Sequence, residues 1–138
     1  MIAIYSQIIF FKGAYNVSSY YAQCDTTAST VDFLSSAGPG VIESIATGAL
    51  TINGTAWQHL CFVRKGASVR IWVNGVDKTT TDQGITSIKS SASNFEIGRY
   101  GGSSNYLQAR IDDFRVYNRA LTNDEVRQLY GGGYGTQH

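Results

Sequence analysis

The sequence predicts an all-β domain, an antiparallel β-sandwich with one short C-terminal helix, and three observations carry that expectation. The run Trp57 to Lys78 reads as three consecutive antiparallel strands, with Asn74-Gly75 between Val73 and Val76. Asn-Gly is a strong hairpin signal, because a type I′ turn needs positive φ at both central residues. Turn signals recur at short intervals along the chain: Lys12-Gly13, Gly38-Pro39-Gly40, Asn53-Gly54, Lys65-Gly66, Asn74-Gly75 and Gly101-Gly102. Many short strands spaced this way suit a sandwich or barrel. Helical periodicity is absent until the end of the chain, where Thr122-Asn123-Asp124-Glu125 forms a capping box,.

Strands are expected near 4–12, 18–24, 30–34, 41–46, 48–52, 57–64, 68–74, 76–80, 93–98 and 107–118. Within the meander the faces separate by alternation. Leu60 and Phe62 share one face of the first strand, and Trp57, His59, Cys61 and Val63 the other. Val69, Ile71 and Val73 share a face opposite Arg70 and Trp72. This pattern predicts a sheet with one core face and one wetter face. Between Leu107 and Arg119, Leu107, Ala109 and Ile111 keep period two, but the apolar set resumes at Phe114 and Val116. A bulge or bend at Asp112-Asp113 restores the pattern. The helix is expected over about 122–130, stopped by Gly131 to Gly133. Domain organisation is then one sandwich over 1–130 and a Gly-rich tail over 131–138.

Composition narrows the function classes. The chain has 138 residues, 43% hydrophobic and 15% charged, with a formal net charge of +1. That balance fits a folded domain and lacks the basic stripe that nucleic-acid binding requires. The apolar start, MIAIYSQIIFFKG, is too short to span a membrane and has no basic flank of a leader, so it reads as a strand. Cys24 and Cys61 can pair, or can pack free as small hydrophobes; the second reading is favoured. Asn16-Val17-Ser18 and Asn53-Gly54-Thr55 match the N-glycosylation pattern and, with no leader seen, carry no weight.

Catalytic arrangements are missing. Asp112 and Asp113 are adjacent, so a regular strand points them to opposite faces. Glu96 stands between Phe95 and Ile97, facing outward. Asp124 and Glu125 belong to a helix start. His59 and Cys61 share a face, but zinc-ligand spacing is absent and the second histidine is the terminal His138,. Gly131-Gly132-Gly133 precedes no helix and makes no phosphate loop. The expectation is a non-enzyme.

Three segments carry a family resemblance. Trp57-Gln58-His59-Leu60 resembles a W-x-H-[VL] strand opening. Ile71-Trp72-Val73-Asn74-Gly75 resembles an [LI]-Y-V-N-G hairpin. Ile111 to Leu121, IDDFRVYNRAL, resembles I-D-[ED]-[VF]-R-[IV]-Y-N-R-A-L before a short capped helix. Together with Asn94 to Arg99 they resemble the laminin G-like branch of the concanavalin A-like lectin/glucanase superfamily, which implies a jelly-roll sandwich. Two departures stand out. Ala109 replaces a usual Gly, and the opening F-D-G and Trp-containing strands of the family are missing. Their loss implies an uncovered sheet edge beside the Leu107–Arg119 run. The glucanases' E-x-D-x-x-E string is also missing, which agrees with a non-catalytic role.

The resemblance and the residues together imply a binding module that recognises carbohydrate through loop aromatics. Arg99, Tyr100, Asn105 and Tyr106 offer aromatic faces with amide and guanidinium donors, as do Tyr15 and Tyr20. The alternative is a structural or adhesive component, of a phage virion or an extracellular assembly, that oligomerises through the open edge at Leu107, Ile111, Phe114 and Val116. The implied partners are a glycan or glycoprotein surface, and another copy or an upstream or partner chain supplying strands; nucleic acid and a membrane span are not expected. The implied location is extracellular or a virion surface. No cofactor is expected except a calcium ion of the kind found at the rim of related domains, for which Asp77, Asp82 and Asp32 are weak candidates.

Overall fold

The computed structural model describes residues 6–14, 18–49, 56–82, 84–86, 88–89, 91–100 and 105–134. They form two facing antiparallel sheets. The larger sheet holds β1 (Ser6–Ala14), β2 (Ser18–Asp25), β3 (Thr30–Gly38), β4 (Val41–Thr47), β8 (Thr79–Asp82) and β9 (Phe95–Ile97), in the order β8-β4-β3-β2-β1-β9. The smaller holds β5 (Leu60–Lys65), β6 (Ser68–Val73) and β7 (Val76–Asp77) in sequence order. The helix α1 spans Asn123–Leu129.

The core between the sheets follows the predicted alternation. Val69, Ile71, Leu60 and Phe62 from the small sheet meet Phe10, Ala22, Val31, Phe33 and Ile45 from the large one. Apolar burial of this kind contributes about 25 cal/mol per Å² removed from water. Strand β1 is apolar on both faces. A register shift between Ile8 and Phe10 places Phe10 in the core, while Ile8 and Phe11 join Tyr21 in a second cluster on the far face. The bulge thus lets one strand serve two apolar layers.

The Asn-Gly turn explains why the first two motifs occur together. Asn74 and Gly75 have φ of 51° and 75°, both in the left-handed region. The Asn74 backbone amide donates to the His59 carbonyl at 2.9 Å, and Asn74 Oδ1 accepts from the His59 amide at 2.9 Å. Asn74 Nδ2 donates to Gln58 Oε1 at 2.7 Å. The turn residue therefore pins the chain leading into β5. A Cβ on Gly75 would lie 2.9 Å from Tyr130 Cδ1, so glycine also makes room for the end of α1.

The capping box is present as predicted. Thr122 Oγ1 accepts from the Glu125 amide, and Glu125 Oε2 accepts from the Thr122 amide. Arg119 adds two bonds to the Glu125 carboxylate at 2.8 and 2.6 Å. The helix buries Val126 and sets Arg127 over the Trp72 ring, 5.6 Å from its centroid. It so covers the outer face of the small sheet, which the sequence alone marked as the wetter one.

Several expected boundaries move. Trp57 to His59 precede β5 and are not strand, and Gly48 and Ala49 follow β4 without strand; residues 50–52 lie outside the described residues. The glycines do not stop the helix at once, since Tyr130–Tyr134 continue it as a π-turn. Residues 107–118 form no strand. Their alternation supplies side chains for a strand, but β9 already occupies the outer edge of β1, and the run meets β9 through Leu107 N–H donating to the Gly98 carbonyl and through Phe114 packing on Phe95 rather than through a ladder among the described residues. The expected bend is there: Asp113 has φ of 51°. Cys24 faces the core and Cys61 pairs with Trp72 on the opposite face of the small sheet, so they are free thiols, both pushed up to about 11 by burial.

Asn74→Ala is expected to cost about 1–3 kcal/mol, because it leaves the half-buried His59 amide without its acceptor; urea unfolding measures this. Glu125 titrates at about 2, held down first by Arg119 and then by the Thr122 amide. A depressed carboxyl stabilises the fold above its unfolded value of roughly 4.3 and loses that contribution as pH falls toward the folded value. Acidification from pH 5 to 2 is therefore expected to loosen α1, read from Trp72 fluorescence in a Trp57→Phe background, and Glu125→Gln is expected to flatten that dependence.

Candidate functional site

The candidate loop begins where β9 ends. Glu96 pairs with Phe11 of β1 and faces the outer side of the large sheet, whereas Phe95 and Ile97 face inward. Gly98, at φ 73°, turns the chain out of the strand. The excursion is closed at its base by three bonds. The Gly98 amide donates to the Ile9 carbonyl at 2.8 Å, the Leu107 amide to the Gly98 carbonyl at 2.9 Å, and the Ile8 amide to the Asn105 carbonyl at 3.3 Å. Gln7 Oε1 accepts from the Gln108 amide at 2.9 Å. Both ends of the loop are thus fixed on β1, although residues 101–104 lie outside the described residues.

Arg99 Nε and Nη2 both reach Glu96 Oε1, at 3.1 and 2.7 Å. The hydrogen bond and charge of Glu96 raise the Arg99 pKa, and Tyr106 adds to the same effect. The guanidinium is held in place yet remains half exposed. Tyr106 is 53% exposed. Tyr100 does different work: it stands edge-on to Phe11, with ring centroids 4.6 Å apart, and covers the cluster of Ile8, Phe11 and Tyr21. Such an edge-to-face pair is worth about 0.5–1.5 kcal/mol beyond its area.

The outer face beside this loop is laid out in rows. Phe11, Tyr21 and Leu34 form one row, and Ile8, Gln23 and Asp32 the next. Asp32 accepts from Gln23 Nε2 at 3.1 Å and from Thr30 Oγ1 at 2.8 Å.

The structure brings Arg99, Tyr100, Asn105 and Tyr106 together and separates Tyr20 from them. Tyr20 points into the core, stacked toward Phe33 at 6.4 Å. Its neighbour Tyr21 occupies the loop's face instead. Only the strand register distinguishes the two, and in the sequence the pair Tyr20-Tyr21 offered no cue. Glu96, expected to stand alone, is the partner of Arg99. Tyr15 lies outside the described residues.

The three candidate metal ligands do not converge. Asp77 and Asp82 flank Arg70, at 4.0 and 3.9 Å from its guanidinium. Asp77 Oδ1 also accepts from the Thr79 amide, and Asp82 accepts from the Gly84 amide and the Ser68 hydroxyl. Asp32 is on the outer face of the large sheet. Among the described residues no group of three or more His, Cys, Asp or Glu could hold a metal ion. Among them, too, no helix is long and apolar enough to cross a membrane.

The interface candidates differ in setting. Leu107 is half-buried, Phe114 packs its ring 6.0 Å from Phe10 and 5.7 Å from Phe95, Ile111 is exposed, and Val116 is 76% exposed.

Tyr100→Ala is expected to lower stability by about 2–4 kcal/mol, in the range of large aromatic truncations. Tyr106→Ala is expected to change it by less than about 0.5 kcal/mol, as for an exposed side chain. Thermal melts of the two variants check the division between a covering ring and a free one.

Comparison with known proteins bears on this arrangement. Residues 3–127 match the family model of laminin G-like domains in the concanavalin A-like lectin/glucanases superfamily. Human usherin is 32% identical over 81 residues, covering 55% of this chain and 2% of usherin. Mouse usherin is 24% identical over 87 residues, covering 59% of this chain and 2% of its own length. An S-layer domain-containing protein from Clostridium thermocellum is similar in structure, with TM-score 0.45 and 22% identity over 94% of this chain and 65% of that one.

Proposed function

We propose a non-catalytic, glycan-recognising role for this chain, which belongs to the laminin G-like branch of the concanavalin A-like lectin/glucanases superfamily. Laminin G-like domains are binding modules, and the family match spans nearly the whole chain. The observation that supports a sugar ligand is the pairing of Arg99 and Tyr106. Glu96 orients the guanidinium, and Tyr106 offers an exposed ring beside it. A planar, oriented donor set next to an aromatic face suits a saccharide, whose hydroxyls accept hydrogen bonds while its C–H face stacks on the ring. Fixing both loop ends on β1 lowers the ordering cost that binding would otherwise carry. Asn105 has its carbonyl engaged in that anchor and is exposed beside Tyr106 in the chain.

A second reading is a structural or adhesive component. The run Ile111 to Tyr117 favours it, since Ile111, Val116 and Tyr117 are exposed apolar side chains near β9, an edge strand of the large sheet among the described residues,.

Glycan-array binding of the full chain tests the first reading. Binding is expected for the unaltered chain, with loss of at least tenfold in Arg99→Ala and in Tyr106→Ala while both retain the parental melting temperature. Glu96→Gln is expected to weaken binding less, because it frees Arg99 without removing it. Absence of any glycan hit, or equal binding by all variants, overturns the loop assignment.

A further inference from the structure

Charge on the large sheet is lopsided. Its strands carry Asp25, Asp32, Glu43, Asp82 and Glu96, against Lys12 as their one cation. Lys12 pairs with Tyr20 and Phe95, so it stands on the inner side, where its ammonium donates to the Ser93 carbonyl. On the outer side the register places Asp25, Asp32 and Glu96. Asp32 is three strands from Glu96, at least about 14 Å at the usual strand spacing and beyond the screening length of physiological salt. Glu96 is therefore the acid that acts on the candidate loop. The loop from Arg99 to Tyr106 brings one charge of its own, Arg99, and Arg110, the next cation along the chain, follows the loop's base at Gln108. Arg99 is met at once. Its Nε and Nη2 donate to Glu96 Oε1 at 3.1 and 2.7 Å, and the Glu96 side chain is 16% exposed against 51% for Arg99. A carboxylate so enclosed is screened by salt less than an open one. The pair presents hydrogen-bond donors with its charge already balanced.

We infer that the Arg99–Tyr106 loop takes an uncharged saccharide and discriminates against sulfated, sialylated and uronic acid sugars, because Glu96 balances the cation that an acidic sugar would need. This rests on the glycan-recognising reading above and names its class of sugar. An anion about 4 Å from the guanidinium, on its Nη1 side, would lie about 7–8 Å from the Glu96 carboxylate, and the inverse dependence on distance then cancels about half of its attraction. Such an anion also gives up more hydration than a hydroxyl does on leaving water. A neutral hydroxyl meets neither penalty. It accepts a charge-assisted bond from the guanidinium, and the C–H face of its ring stacks on the exposed Tyr106,. Asn105, also exposed, carries a neutral amide with both donors and acceptors,. Glu96 is thus a specificity-determining residue as well as the group that positions Arg99.

The probes are matched glycans on one array, each neutral oligosaccharide beside its sulfated and sialylated forms, applied to the full chain. Neutral members are expected to bind about fivefold or more tightly than their acidic forms. Raising sodium chloride from about 50 to 500 mM is expected to change the Kd of a neutral hit by less than about twofold, since no net charge is paired on binding. Glu96→Gln is expected to move the ratio severalfold toward the acidic forms, while neutral binding falls only modestly. The matched pairs and the salt series use the unaltered chain, so they decide the matter even if Glu96→Gln folds poorly. Tighter binding of the acidic forms, or steep weakening with salt, overturns the inference. If that binding is still lost in Arg99→Ala and Tyr106→Ala, the loop stands as the glycan site and only its class of sugar is wrong. An unchanged preference in a folded Glu96→Gln also overturns the role given to Glu96. Absence of any glycan hit that depends on Arg99 and Tyr106 removes both the inference and the reading beneath it.

Discussion

Phe10 is the contact on which the two sheets depend. Its ring lies within 6.4 Å of Phe33 on its own sheet, Phe62 on the opposite sheet, Phe95 on the edge strand and Phe114 in the run beyond. Four elements far apart in sequence are positioned by one side chain. Its orientation is set by the irregularity between Ile8 and Phe10, which turns the next residue, Phe11, to the other face. A slip of one residue in β1 would exchange the two phenylalanines. It would empty the core between the sheets and displace the ring on which Tyr100 rests. The candidate loop and the sandwich core are thereby coupled through adjacent residues of one strand.

Much of this was legible from local chemistry. The Asn74-Gly75 turn, the alternation of Val69, Ile71 and Val73, the bend at Asp113 and the Thr122–Glu125 capping box are all encoded within a few residues, and each is found where expected. What escaped the sequence depends on partners. The Leu107–Arg119 run has the alternation of a strand but has no ladder neighbour among the described residues, because strand propensity specifies which side chains suit a sheet and not whether an edge is available,. Tyr20 and Tyr21 are identical residues side by side, and only the register with β1 and β3 sends one inward and the other outward. The cover over Trp72 comes from α1, about fifty residues later, so a face that looks wet in the meander is in fact packed there.

The same distinction separates the motifs that hold the fold from the residues that meet a ligand. His59 and Asn74 match the motif positions, and Trp72 stands where the pattern has Tyr; in this structure the three build the turn and the bed for α1. Burial lowers the pKa of His59,. Arg119, within the third motif, locks the capping carboxylate. Arg99 and Tyr106 lie outside that internal network, at the rim of the outer face.

The Arg99–Tyr106 loop depends on the short strand β9 and on β1 beside it. β9 presents Glu96 outward to Arg99 and Phe95 inward to Phe10. The base of the loop is bonded to the end of β9 through Gly98, whose carbonyl accepts from the Leu107 amide. Short edge strands are among the least stable parts of a fold, and β9 has only three residues. Phe95 and Glu96 are neighbours on that one strand, so the ring that stacks on Phe10 and the carboxylate that aims Arg99 are held by the same short ladder with β1.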